Sequence, residues 1–497
     1  MTRRFRPARL LLAAVSVAAF AHPVAAETPA EPASPPTAPA DRAPDKPELG
    51  SYGFDASGMD RSVAPGKDFY AFANGAWAKR TTIPADKSNY GMFGALDDLS
   101  RERVRAIIEE QGKTPGSRIG IAYTGYLDQA AIDARGLAPI QPWLARIKAV
   151  RDMNGYTGLM RDALRSGVEM PFVFFVGQDD KAPDSYILSA YQAGTGLPDR
   201  DYYIIDNEKF AGIRKAYVDY LAGMFDRAGE PDGKARAEAI LALETQIARA
   251  HWTREDSSDA TKTYNKMDVA AFDALTPGMA LSPVLAAISP QVKTLVVAQP
   301  TAFTGMAKAL AAAKIEVLKD QLLIRSLEAY SGTLPDAIDA HRFAFYGTTL
   351  SGTPEREPRW KRAVAFAEDA LGDDIGKLYA AKHFPPAYKA EMDKLVRNVL
   401  ASMGRRIDGV AWMQPATKVR AKAKLAAFTT KIGYPDRWHD YASLKLVPGD
   451  ALGNAMRANA WDFDDNVAKL GEPIRRWEWG MSPQTVNAYA NFSMNEI

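Results

Sequence analysis

The chain has 497 residues, of which 47% are apolar and 25% charged, with 62 Lys and Arg against 60 Asp and Glu. Such a length supports a large buried core and about three domains, and the near-neutral charge argues against nucleic acid or DNA as a partner, which draws on a basic excess. With no cysteine, the chain has no disulfides, thiolate nucleophiles or cysteine-held metal centres.

Residues 1–26 read as a secretory signal. Arg3, Arg4, Arg6 and Arg9 precede an apolar run from Leu10 to Phe20, and Val24-Ala25-Ala26 offers small residues for cleavage. An uncleaved anchor is the alternative, and contact with a membrane is expected only in that case. Arg3-Arg4 hints at a twin-arginine signal, but Arg6 stands where that signal wants an apolar residue. Without the four arginines, 58 basic residues face 60 acidic ones, a net charge of −2. Residues 27–48 carry seven prolines and read as an extended spacer. The expected location is outside the cytoplasm, periplasmic or extracellular.

Helical periodicity dominates the rest. Apolar side chains at three- and four-residue spacing predict helices over Arg101–Gln111, Pro142–Val150, Phe210–Met224, Ile240–His251, Gly305–Asp320, Arg359–Leu371, Ala387–Ile407 and Thr417–Phe428. Phe172–Val176 and Ser185–Tyr191 are β-prone, and Asp179, Asp180 and Pro183 between them predict a hairpin. A last extended run is expected over Thr485–Tyr489. The reading is a mainly α fold with small β elements.

Few chemical motifs survive inspection. There is no G-x-S-x-G elbow. Gly194-Thr195-Gly196-Leu197-Pro198 lacks the third glycine of a dinucleotide loop, and Gly372–Lys377 has the wrong spacing for a phosphate loop and carries two acids. Asp462, Asp464 and Asn466 have calcium-loop spacing, but Val467 replaces the required glycine and Pro473 the bidentate Glu. They are expected to form a solvated acidic turn. Glu244 and His251 could share a helix face and reach a metal only with further ligands, so a hydrogen-bonded packing role is expected for His251. His341, His383 and His439 read as isolated structural residues. No two histidines have the H-x-x-x-H spacing that aims two imidazoles at one metal.

Several longer blocks resemble the neprilysin and endothelin-converting-enzyme family of zinc metallopeptidases, in its bacterial oligopeptidase branch. They are Pro65–Trp77, Gln192–Tyr203, His251–Arg254 with Thr263–Asn265, Phe343–Gly347 through Arg359–Arg362, Trp412-Met413, Thr417-Lys418, Lys431–Pro435 and Pro483–Tyr489 continuing to Asn495-Glu496-Ile497. The resemblance implies a helical lid enclosing a cavity that admits short peptides, and a thermolysin-like α+β lobe carrying Zn²⁺. On that pattern residues 49–95 pack with the catalytic lobe, 96–435 form the lid and 436–497 begin the lobe. The family's H-E-x-x-H helix supplies two zinc ligands and a general base. It is absent from these 497 residues, so this chain is expected to bind no metal, to have no catalytic residues and to be inactive alone, a truncated product or fragment. The resemblance assigns substrate-backbone hydrogen bonding to Asn487 and Ala488; an ordinary edge strand is the other reading. Ala490 and Phe492 depart from the family pattern at two nearby positions, and Asn89 and Gly94 stand where mammalian members use Arg and Asp to read the substrate's C-terminal side. The implied function is zinc-dependent cleavage of short peptides in the cell envelope. The alternative is a non-enzymatic exported peptide-binding or interaction protein derived from the lid, and a third reading has a separate polypeptide supply the missing catalytic lobe. Truncation is expected to leave apolar surface and an unpaired edge near the C-terminus, with a tendency to associate.

Overall fold

Helix starts follow local chemistry. Asp68, Ser117, Asp128, Asp152, Asn207 and Asp450 each stand just ahead of a helix and accept a hydrogen bond from a backbone N–H of its first turn. A computed structural model describes residues 55–497; the expected signal, the spacer and the start of the following segment lie outside the described residues. The described chain is mostly helical with one small sheet, and no described helix is long and apolar enough to cross a membrane.

Helices Glu208–Arg227 and Gly233–Ala250 pack on each other. Tyr217, Leu221 and Met224 of the first, and Ile240, Leu243 and Ile247 of the second, belong to a single apolar core that runs from Val104 to Ala455. The stretch expected as one helix over Gly305–Asp320 is two, Pro300–Ala312 and Ile315–Tyr330, divided at Ala313 by extended backbone (ψ 148°). The run contains no helix breaker after Gly305, so tertiary packing rather than propensity sets this boundary.

The hairpin forms as expected. β1 (Phe172–Asp179) pairs antiparallel with β2 (Ala182–Gln192), and Pro183 lies within β2 rather than in the turn. β3 (Lys266–Asp268) and β4 (Thr294–Val297) complete a mixed sheet of order β1-β2-β4-β3. The expected acidic turn at Asp462–Asn466 is instead part of the helix Ala451–Ala468. Asp464 pairs with Arg165, and the Asn466 carboxamide exchanges two 2.9 Å hydrogen bonds with the backbone of Val176 at the outer edge of β1.

The Gly194–Pro198 block is an architectural loop over a buried charge. The Glu244 carboxylate accepts hydrogen bonds from Tyr203 Oη (2.7 Å), Tyr217 Oη (3.0 Å), Gln321 Nε2 (3.0 Å), Arg325 Nη2 (2.7 Å) and the Gly196 amide (3.1 Å). A Cβ on Gly196 would lie 1.9 Å from Tyr217 Oη, so only glycine brings that amide to the carboxylate. The Glu244–His251 pairing does not occur. His251 bonds the Ala193 carbonyl at 3.0 Å through Nε2, and burial holds the ring neutral with its pKa lowered to about 4.

Candidate functional site

The segment carrying Asn487 and Ala488 is held by what precedes it. Helix Arg359–His383 breaks its regular geometry at Leu371 (φ −138°, ψ 39°), and Pro483 and Gln484 fit against the turn that follows. Gly376 makes that fit possible, because a Cβ there would lie 2.7 Å from Pro483 Cδ and 3.0 Å from Gln484 Oε1. Gln484 is buried; its carbonyl accepts a 2.7 Å hydrogen bond from Ser100 Oγ on helix Met92–Gly112. Two helices, Met92–Gly112 and Arg359–His383, therefore fix the chain three residues before Asn487. Glu368, one turn before the break, faces the same wedge. Burial raises its carboxyl pKa to about 7, against the downward pull of Gln484 and Arg101.

Beyond the wedge, Thr485–Tyr489 joins no sheet among the described residues, which corrects the expected strand. The Asn487 amide turns back to the Thr485 carbonyl, and the Asn487 side-chain oxygen accepts from the Ala488 amide at 2.8 Å. Both residues are exposed. Among the described hydrogen bonds, none uses the Asn487 carboxamide NH₂ or the Ala488 carbonyl, so these adjacent exposed residues keep one donor and one acceptor available. That is the pair an extended peptide backbone needs. Asn89 is exposed, and Gly94 lies within helix Met92–Gly112.

One cluster among the described residues brings together three groups of metal-ligating type: His439, Asp465 and Glu478. His439 was expected to stand alone. Its Nδ1 instead lies 2.7 Å from Asp373 Oδ2, and its Nε2 3.5 Å from Glu478 Oε1. Burial by itself would lower the ring pKa, but the hydrogen bonds to the two carboxylates hold it up at about 9. Arg475 pairs with Asp465 at 2.8 Å and with Glu478 at 3.0 Å, and Lys469 reaches Glu478 at 2.6 Å. Burial opposes the charge on Glu478, yet His439, Lys469 and Arg475 keep its pKa near 2. A metal needs a neutral imidazole and free carboxylate lone pairs. Here the imidazole is cationic and the acids are already neutralised, so this donor set does not fit a catalytic zinc. The cluster works as a clamp between helix Arg359–His383 and residues 439–478.

The wedge and the clamp are not legible from spacing; both use the Gly372–Lys377 stretch, through Gly376 and Asp373, whose spacing fails for a phosphate loop. The available signal was a pair of glycines four residues apart in a helical pattern, which marks a face of close approach.

Residues 65–435 match the model for peptidase family M13. The sequence is 24% identical to human neprilysin over 88% of this chain and 64% of that protein, and 25% identical to an endothelin-converting enzyme homolog of Locusta migratoria over 88% and 65%. The chain thus spans under two thirds of the length of both. The crystal structure of the Mycobacterium tuberculosis zinc metalloprotease Zmp1 in complex with an inhibitor superposes with a TM-score of 0.85 at 35% identity, covering 89% of this chain and 69% of that one.

Proposed function

Since the chain belongs to peptidase family M13, we propose that it is the lid and peptide-presenting portion of a neprilysin-type zinc endopeptidase that cleaves short peptides in the cell envelope. The observation that carries this reading is the exposed Asn487–Ala488 pair, held by a buried wedge in a chain of that family. In this reading the Asn487 NH₂ donates to a carbonyl of an extended peptide and the Ala488 carbonyl accepts from one of its amides, which fixes the register of the bond to be cut. The catalytic zinc and its general base belong to a lobe with an H-E-x-x-H helix, in this polypeptide or in another. On this reading the catalytic zinc is not held by the described residues 55–497. Asn89 cannot offer the bidentate fork that Arg gives a carboxylate, so the family's preference for a nearby free C-terminus is not carried over to this chain. The non-enzymatic reading, a lid-derived peptide-binding protein, shares the same pair and differs only in lacking the lobe.

A quenched-peptide assay with and without added zinc, run beside peptide binding by fluorescence anisotropy, tests this. The purified chain is expected to bind a short peptide without cleaving it. Asn487→Ala is expected to weaken binding about tenfold, the value of one well-placed hydrogen bond of about 1.4 kcal/mol. Chelator-sensitive turnover by residues 1–497, or binding indifferent to the substitution, contradicts the reading.

A further inference from the structure

The wedge that holds the Asn487 segment encloses an unmet acceptor. Gln484 is 5% exposed. Its Nε2 donates a long 3.4 Å hydrogen bond to the Gly372 carbonyl, while its Oε1 accepts none among the described residues. A buried oxygen left in that state is costly. The carboxyl group of Glu368 lies against this carboxamide. A carboxylic acid has an O–H to give the oxygen and a carbonyl to take from the NH₂ group; a carboxylate has acceptors only.

The surroundings also leave Glu368 short of positive charge. Arg101, on helix Met92–Gly112, is the cation that faces it among the described residues. That guanidinium already pairs with Asp97 at 3.0 Å and with Glu357 at 2.9 Å. Asp369, next along the helix, adds another negative charge, and the Ser100 hydroxyl is spent on the Gln484 carbonyl. Four acids thus gather around one guanidinium, and the one that touches the unmet acceptor has most to gain from a proton. Its pKa of about 7 comes first from burial, against the pull of Gln484 and Arg101.

We propose that Glu368 is a positioning residue for peptide binding: its proton, donated to Gln484 Oε1, latches the wedge and sets the Asn487–Ala488 segment, and loss of that proton releases both. This rests on the function proposed above and makes binding by that pair depend on pH. On release the O–H bond breaks, its electron pair stays on the carboxylate, and the proton passes to water or buffer. The buried carboxylate then stands against an oxygen that it cannot satisfy, which favours withdrawal of Gln484. Only three residues separate Gln484 from Asn487, so that movement carries the exposed pair with it. The latched state holds the proton up to about pH 7, whereas an ordinary glutamate loses it near 4.5. Release is therefore least favoured below pH 4.5, gains up to about tenfold per pH unit until pH 7, and is level above. Peptide is held in acid and loosened above neutrality.

Hydrogen exchange of the purified chain, read by mass spectrometry over residues 483–489, tests this against Glu368→Gln, whose NH₂ group donates to Gln484 Oε1 at any pH. The rate ratio of wild type to Glu368→Gln cancels the intrinsic pH dependence of exchange. It is expected to rise by about tenfold or more from pH 5.5 to pH 8, while amides of helix Glu208–Arg227 keep a constant ratio. Gln484→Met, which lacks the acceptor, is expected to exchange fast at both pH values, with wild type protected relative to it only at pH 5.5; this comparison carries the test if Glu368→Gln does not fold. A ratio over 483–489 that stays within about twofold overturns the proposal. So does an equal rise in helix Glu208–Arg227, which assigns Glu368 to general stability. Peptide anisotropy at the same two pH values reports on the proposed function: wild-type affinity is expected to fall about tenfold from pH 5.5 to pH 8, and that of Glu368→Gln to stay level. A rising ratio with pH-independent binding overturns the positioning role. Absence of binding at both pH values with a rising ratio refutes the peptide-presenting reading alone, and binding with a flat ratio refutes the latch alone.

Discussion

Arg325→Met isolates the buried charge beneath the glycine loop. Arg325 and Glu244 are 6% and 0% exposed as side chains, and Arg325 also pairs with Glu328 at 2.8 Å. Methionine keeps most of the apolar stem and removes the charge. Glu244 then keeps two tyrosine hydroxyls, Gln321 and the Gly196 amide. That partial solvation places the loss near the lower end of the range for breaking a buried pair, about 3 kcal/mol. Glu328 retains Tyr220 and Tyr346 and adds about 1 kcal/mol, for a total of about 4 kcal/mol. The assay is urea unfolding followed by tryptophan fluorescence, with the double variant Glu244→Gln/Arg325→Met beside the single ones. If the cost comes from a stranded carboxylate, the double variant recovers about 2 kcal/mol relative to Arg325→Met alone. A double variant no more stable than Arg325→Met, or a single loss under about 1 kcal/mol, refutes the electrostatic account and leaves packing as the cause.

The clamp gives a pH signature. His439 titrates near 9 when folded against 6.5 in its ordinary state, so its contribution is complete below pH 6.5 and disappears as pH rises through 9. After allowance for partial exposure it amounts to about 2 kcal/mol, read as the difference between wild type and His439→Gln in unfolding midpoints at pH 6 and pH 10. Glu368 runs differently. Its folded pKa of about 7 against 4.5 means the folded state holds the extra proton between those values, so stability falls as pH rises from 4.5 to 7 and is flat beyond. Glu368→Gln is therefore expected to gain about 2 kcal/mol over wild type at pH 8 and little at pH 4; a gain that does not change with pH refutes the assignment. Gly376→Ala is expected to displace Pro483 and Gln484, lowering stability by about 2 kcal/mol and weakening peptide binding through Asn487. Unchanged binding in a folded Gly376→Ala protein would show that the wedge does not position that segment.

What the sequence made legible is what short range encodes. The β-hairpin, the helices around Tyr217 and Ile240 and the mainly helical class follow from periodicity and turn residues within windows of a dozen positions. The break at Ala313 escapes, because an alanine-rich run gives helix propensity no reason to stop and the neighbours that stop it are distant in the chain. His439 looked solitary because its partner Asp373 lies 66 residues away; spacing arguments see only one element at a time. Asp462–Asn466 misled in the opposite direction, since two-residue acidic spacing is compatible with a helix whose polar groups each answer a separate neighbour. The Asn487–Ala488 pair came from family resemblance, not from residue chemistry, and its support from Ser100 and Gly376 depends on contacts that no local pattern contains.

The Asn466 carboxamide has a further consequence. β1 is an eight-residue strand that opens with five apolar residues, Phe172–Val176, at the border of its sheet, the kind of border along which chains can stack into fibrils. By occupying both the N–H and the C=O of Val176, one side-chain amide occupies a rung that an invading strand would need. A single residue on a helix thereby blocks part of that border, and its loss is expected to show as concentration-dependent association by light scattering.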